Sequence, residues 1–303
     1  MSIARLTGGA CIVALLISQR AAAHDFWIEP ASFHTAPGSV LPVSLHVGEH
    51  LVGKEKDRSD ERIIEFVAVD SSGGKHPVVG RDGKSPAGMV KIPKVGPSLV
   101  GYHCTPAFIE LEADLFSRYL AMEGLDHIIK HRADTGQSRE SARERYRRCA
   151  KALLTCTKDG MPGTAVEEAD AGLGHRFGFP LEIMPIDDPR VSREQSTSFR
   201  VLFGGKPLEN AMLMALSRAQ PDRVLKSRTD AKGAAAFKLD DRGMWLVKVV
   251  HMIPVEKAEP GTKAVQDESQ KGTKSQKGTE SQQASMDNAQ WESFWASLTF
   301  EIS

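Results

Sequence analysis

The stretch SARERYRRCAKALLTC, residues 141–156, sets how the chain is partitioned, because Ala142, Tyr146, Cys149, Ala150, Leu153 and Leu154 recur at helical spacings opposite Arg and Glu. Ser141 and Glu144 match a capping box, with Ser138 as a competing start. Read as a helix, this stretch closes a helical region. An earlier helix carries Leu115, Phe116, Tyr119 and Leu120, breaks near Gly124 and continues briefly over LDHIIKHR. The spacing therefore predicts a helical insert over about 112–157.

On either side of that insert the text has a period of two. FWIEP, SVLPVSLHV, RIIEFVAV, GMVKIP and SLVGYHC are short runs separated by Gly, Pro, Ser and charged clusters, the pattern of strands joined by turns. KEKDRSDER, 54–62, reads as a solvated loop. After GFPLEIMPIDDP the chain restarts with SFRVLFGGKPL, AMLMALS, RVLKSRTDAKGAAAFKL, MWLVKVVHMI and WASLTFEIS, punctuated by GG, DAKG and DDRG turns. The expected fold is mainly β: two β-sandwich-like domains, 24–189 with the helical insert and 190–303 resembling a transthyretin or immunoglobulin sandwich. Residues 257–289, with SQKGTKSQKGTESQQ at their centre, have almost no apolar content. They are expected to form a disordered insertion, since they cannot bury enough surface to offset ordering entropy.

Residues 1–23 read as a secretory signal. Arg5 precedes the apolar LTGGACIVALLI, and Ala21, Ala22 and Ala23 supply a small-residue cleavage pattern. The apolar run is shorter than the ~20 residues a spanning helix needs. Cleavage after Ala23 predicts a periplasmic chain beginning at His24, without stable membrane insertion. That chain holds Cys104, Cys149 and Cys156, an odd number, so at most one internal disulfide closes, and the pairing stays open. Lys plus Arg and Asp plus Glu number 39 each, which leaves no global field to recruit nucleic acid.

No GxGxxG opening a helix, GxxxxGK[ST], GxSxG or HExxH occurs, so dinucleotide, phosphate, hydrolase and metalloprotease readings lose their best support. Histidine is the informative residue. A terminal His24 offers its α-amine and imidazole to one ion, and an amine pKa of ~7.7 to 8.0 makes the neutral ligand accessible near neutral pH. A second imidazole would complete a three-nitrogen brace of the kind that favours copper or nickel. The alternative is a cleavage that merely happens to precede a histidine. His103, closing SLVGYHC, and His251, in WLVKVVHMI, are the candidate further ligands, each with a core role as its rival. Asp25 is the candidate acceptor that orients an imidazole N–H. His46 and His50 in HVGEH could converge only through the turn, and His127 and His131 have i, i+4 spacing. His34 and His175 are weaker candidates.

HDFWIEPASFHTAPGSVLPVSLHVGE, LFSRYLAMEGLDHIIKHR, ERYRRCAKALL, PLEIMPIDDP, GKPLENAMLMA, TDAKGAAAF, GMWLVKVVHM and WASLTFEI occur in that order. Together they resemble a bacterial exported family, domain of unknown function 4198, whose members are often labelled periplasmic components of cobalt or nickel transport. The resemblance implies a β-rich periplasmic protein handling divalent transition metal, with His24 in its opening motif and His251 in its late strand. It brings no established ligand set. The 257–289 insertion departs from the family's expected length. The leading expectation is thus a non-enzymatic protein that binds nickel, cobalt or copper for uptake or buffering, with a metal-uptake transporter as a possible partner. The alternatives are a histidine-brace copper oxidative enzyme and a metal-free binding or structural module.

Overall fold

The structure is a computed structural model and describes residues 24–162, 173–190, 196–255 and 284–303. The expected signal (1–23) and most of the expected insertion (257–283) lie outside the described residues. The last part of that insertion, expected to be disordered, includes a helical turn at 284–287.

Ten strands form a central sheet. Its main path runs β15 (Gln220–Arg228), β14 (Met212–Ser217), β17 (Gly243–Pro254), β18 (Trp291–Ile302), β10 (Ala142–Cys156), β8 (Gly96–Cys104), β5 (Ile63–Val69) and β6 (Lys75–Pro77). The short strands β2 (His34–Thr35) and β9 (Ala107–Leu111) add to β10. Two smaller sheets cover it. One contains β1 (Asp25–Pro30), β3 (Val40–Glu49), β4 (Val52–Lys56) and β7 (Gly88–Lys91); the other contains β11 (Leu181–Pro185), β12 (Thr197–Phe203), β13 (Lys206–Pro207) and β16 (Ala234–Phe237).

Alternation along the central strands shows that the small sheets lie on opposite faces. In β17, Met244 and Leu246 join a core with Phe26, Trp27, Ile28, Val43 and Leu45. Trp245, Val247 and Val249 join another with Leu181, Ile183, Phe199 and Val201. The molecule is mainly β and sandwich-like, with the central sheet buried on both faces. Near-continuous apolar runs in β17 and β18 follow directly from that double burial. Each fully buried aliphatic side chain, such as Ile28, Leu45 or Leu99, contributes roughly 1.5–3 kcal/mol relative to exposure.

The sheet also crosses the expected domain boundary at 189/190. Glu144 to Ala152 of β10 pair in parallel with Trp291 to Thr299 of β18, joining the two halves of the sequence edge to edge.

The helical insert is smaller than expected. Helices α1 (Ala113–Met122) and α2 (Asp126–Asp134) form, but residues 142–156 are strand, not helix. Ala150, Ala152 and Leu154 serve one core and Leu153 the other, so burial on both faces blurred the period of two. The helices cap one end of the sheet. Phe116, Tyr119, Leu120 and Ile128 pack with Val250, Met252, Trp291 and Trp295. Gly124, at φ +67°, turns the chain between the helices, a left-handed position where glycine is least strained. Among the described residues no helix is long and apolar enough to cross a membrane.

Candidate functional site

β1 pairs with β3 from Asp25 opposite Gly48 to Pro30 opposite Val43, so His24 sits where the first strand enters this sheet. Next to it, β3 and β4 form a hairpin whose two-residue turn is His50-Leu51, with φ of 53° and 60°. Such a turn normally favours Asn-Gly, because both central residues are left-handed. Burial of Leu51 in the core offsets its backbone strain, while His50 stays exposed. The hairpin closes tightly because Gly48 faces Gly53; a Cβ on Gly48 would lie 2.1 Å from the Val52 carbonyl oxygen.

This corner forms a cleft of about 840 Å³ lined by residues that include His24, Glu49, His50, Lys54, Glu55 and Arg148. His24 Nδ1 is sealed from solvent without a hydrogen-bond partner, although Glu49 Oε1 stands 3.5 Å away. The rest of the His24 side chain is 41% exposed, so the ring is reachable from the cleft.

Asp25 has a different role from the one expected. Its carboxylate is buried and accepts from Lys248 Nζ at 2.5 Å, while the same ammonium donates to Glu123 at 2.9 Å. Burial raises the Glu123 pKa, and Lys248 opposes that rise; the two carboxylates hold Lys248 firmly protonated against its own burial. The trio ties β1, the end of α1 and β17 together at the residue following His24.

His46 belongs to a neighbouring network. Its ring stacks on Trp27 at 5.3 Å and lies 3.9 Å from Glu29, which also accepts from Trp27 Nε1 and, through both oxygens, from Arg218.

His251 lies on the other face of the central sheet. Its ring meets Phe203 of β12 edge-on at 4.5 Å and stacks at 5.8 Å on His127, whose Nε2 bonds the Met252 carbonyl at 2.9 Å. Burial, and then the neighbouring His127, depress its pKa to about 4. His103 faces the same side, 5.4 Å from Phe179, with its Nε2 buried and unpartnered; burial and then Arg147 lower its pKa. Three strand spacings separate β8 from β17, so His103 and His251 are at least ~14 Å apart across the sheet. The structure thus leaves His24, His103 and His251 in three separate places. Among the described residues no group of three or more His, Cys, Asp or Glu is arranged to hold a metal. His131 packs edge-on against Trp291, and His34 lies 3.7 Å from Glu301. Cys104, Cys149 and Cys156 are free and buried, so none of the open disulfide pairings forms.

Arg148, Glu49, Lys54, Glu55 and Lys56 are cleft residues that sequence reasoning missed, the last three in β4 where a solvated loop was expected. Glu49 adjoins the HVGEH histidines, and its signal was the pair of glycines framing a short turn. Arg148 was hidden within a segment read as helix.

Residues 21–253 match the family described as Domain of unknown function (DUF4198). The chain belongs to this family. The matched span includes His24, the cleft hairpin, Arg148 and His251, and stops before β18, which completes the central sheet. No curated protein matches the chain. Among solved structures it is similar to a tetra-tandem repeat in the extending region of a large adhesion protein, at 12% identity, covering 92% of this chain and 49% of that one, with a TM-score of 0.18. The chain therefore spans about half the length of that protein.

Proposed function

We propose that the protein is exported, is cleaved before His24, and binds a divalent transition metal (nickel, cobalt or copper) in the periplasm for uptake or buffering. One observation carries this reading: the His24 nitrogen without a partner is Nδ1. Through Cα, Cβ and Cγ, Nδ1 and the α-amine of the same residue close a six-membered chelate ring around one ion. A nitrogen already held by a hydrogen bond would have to break it first. Glu49 can supply an oxygen or orient the imidazole, and His50 shares the cleft. The buried Asp25–Lys248–Glu123 trio keeps the next residue in place, so the chelating terminus starts from an anchored strand. His251 is left out of the site, because its ring is packed on the opposite face.

The test compares mature protein beginning at His24 with a version carrying one extra residue before it, titrated with Cu(II), Ni(II), Co(II) and Zn(II). The extra residue converts the α-amine into an amide and should lower affinity for Cu(II) or Ni(II) by more than about 100-fold, beyond the range for loss of a supporting group. Equal affinities would overturn the role of the terminus. Failure of either form to bind better than micromolar would overturn the metal reading.

A further inference from the structure

Arg148 differs from the other arginines of its strand. Arg145 and Arg147 both donate to Glu292. The Arg148 guanidinium instead lies over two rings, with its central carbon 5.2 Å from the Phe26 centroid and 5.2 Å from that of Tyr146. Its Nε is buried and has no acceptor, and no carboxylate among the described residues pairs with it. It lines the His24 cleft.

The five N–H donors of a guanidinium lie in its plane. Two rings within cation–π distance attract the charge through their π electrons without taking up those donors. The planar fork is itself pre-organised, so less freedom is lost per hydrogen bond when an acceptor arrives. The cleft adds Lys54 and Lys56 against Glu49 and Glu55. With Arg148 that makes three cations and two carboxylates, and the α-ammonium of a chain beginning at His24 adds a further positive charge, so the cleft favours an anion. The volume, about 840 Å³, falls within the range of small-molecule sites.

We propose that this cleft binds a small organic acid whose carboxylate takes the in-plane donors of Arg148. The net positive charge of the cleft favours an anion, and a planar carboxylate presents two oxygens to two parallel N–H donors of the fork. The site goes beyond the metal reading and does not depend on it, because Arg148 and its two rings are in place without an ion.

The test uses mature protein in metal-free buffer, titrated with butyrate, glutarate and inorganic phosphate. Binding is followed by calorimetry and by the Arg148 Nε–H resonance. Either carboxylate should bind saturably, more tightly than phosphate, and shift that resonance. Arg148→Met should weaken binding at least tenfold. Arg148→Lys, which keeps the charge and loses the fork, should weaken it several-fold and carries the test if the Met variant does not fold. Absence of saturable carboxylate binding into the millimolar range, undiminished binding by the folded variants, or tighter binding of phosphate would each overturn the proposal. His24→Ala should retain carboxylate binding, so loss of metal binding in that variant leaves this site standing.

Discussion

His24 and His251 sit on opposite sides of the central sheet and show what burial does to an imidazole. His24 keeps a ring nitrogen without a partner beside an open cleft, in a polar corner anchored by one buried lysine and two carboxylates. His251 is packed between Phe203 and His127, and its pKa is held near 4. Sequence makes the two comparable, a histidine in a recognisable motif at each end of the family match. Structure separates them: one borders an open cleft, and the other is part of an aromatic core.

The largest effect should come from breaking the anchor on the His24 side. Lys248→Met leaves Asp25 and Glu123 buried without their cation, which costs about 3–5 kcal/mol. Thermal unfolding should register a large drop in midpoint. A drop of less than about 1 kcal/mol would show that β1 is held by its apolar residues alone.

Both sides can be read through pH. Glu144 is fully buried, with Tyr119 and Ser293 as its hydrogen-bond partners, and burial raises its pKa to about 7. Its folded pKa exceeds its unfolded value of 4.5, so its contribution to stability is complete below 4.5 and is lost as pH rises through about 7. His251 has the opposite sign. Its contribution is complete above 6.5 and is lost as pH falls toward about 4. The two slopes oppose each other between 4.5 and 6.5, so the parent protein should show a nearly flat profile there. Glu144→Gln should leave stability rising with pH, and His251→Gln should leave it falling. Each change amounts to on the order of 2–3 kcal/mol across the window, at 1.36 kcal/mol per pH unit. Denaturant midpoints from pH 4.5 to 7.5 check this, and identical slopes in all three proteins would contradict it.

The smallest effect belongs to Glu49. Glu49→Gln keeps the shape and removes the charge 3.5 Å from His24 Nδ1. It should weaken metal binding by about tenfold without changing the unfolding midpoint. Unchanged affinity would place Glu49 outside the site.

The predominance of strand was legible because period-two runs and turn residues dominate both halves of the chain. β10 was not, since a strand buried on both faces carries apolar residues at spacings that also fit a helix. Arg143, Arg145 and Arg147 did alternate with period two, and that was the overlooked signal. The parallel pairing of β10 with β18 joins residues about half the chain apart, and no local pattern encodes it. At the site, His24 could be singled out by type and position. Its neighbours could not, because Glu49 and Arg148 reach the cleft through a hairpin turn and a cross-sheet contact. Asp25 was noticed, but its partners Lys248 and Glu123 come from strands and helices remote in sequence.

The most direct test is a Cu(II) titration of mature protein beginning at His24, alongside His24→Ala and His251→Gln. Here His24→Ala should lower affinity by more than about 100-fold and His251→Gln should leave it within about twofold of the parent. A loss confined to His251→Gln, with His24→Ala unchanged, would contradict the assignment of the cleft as the metal site.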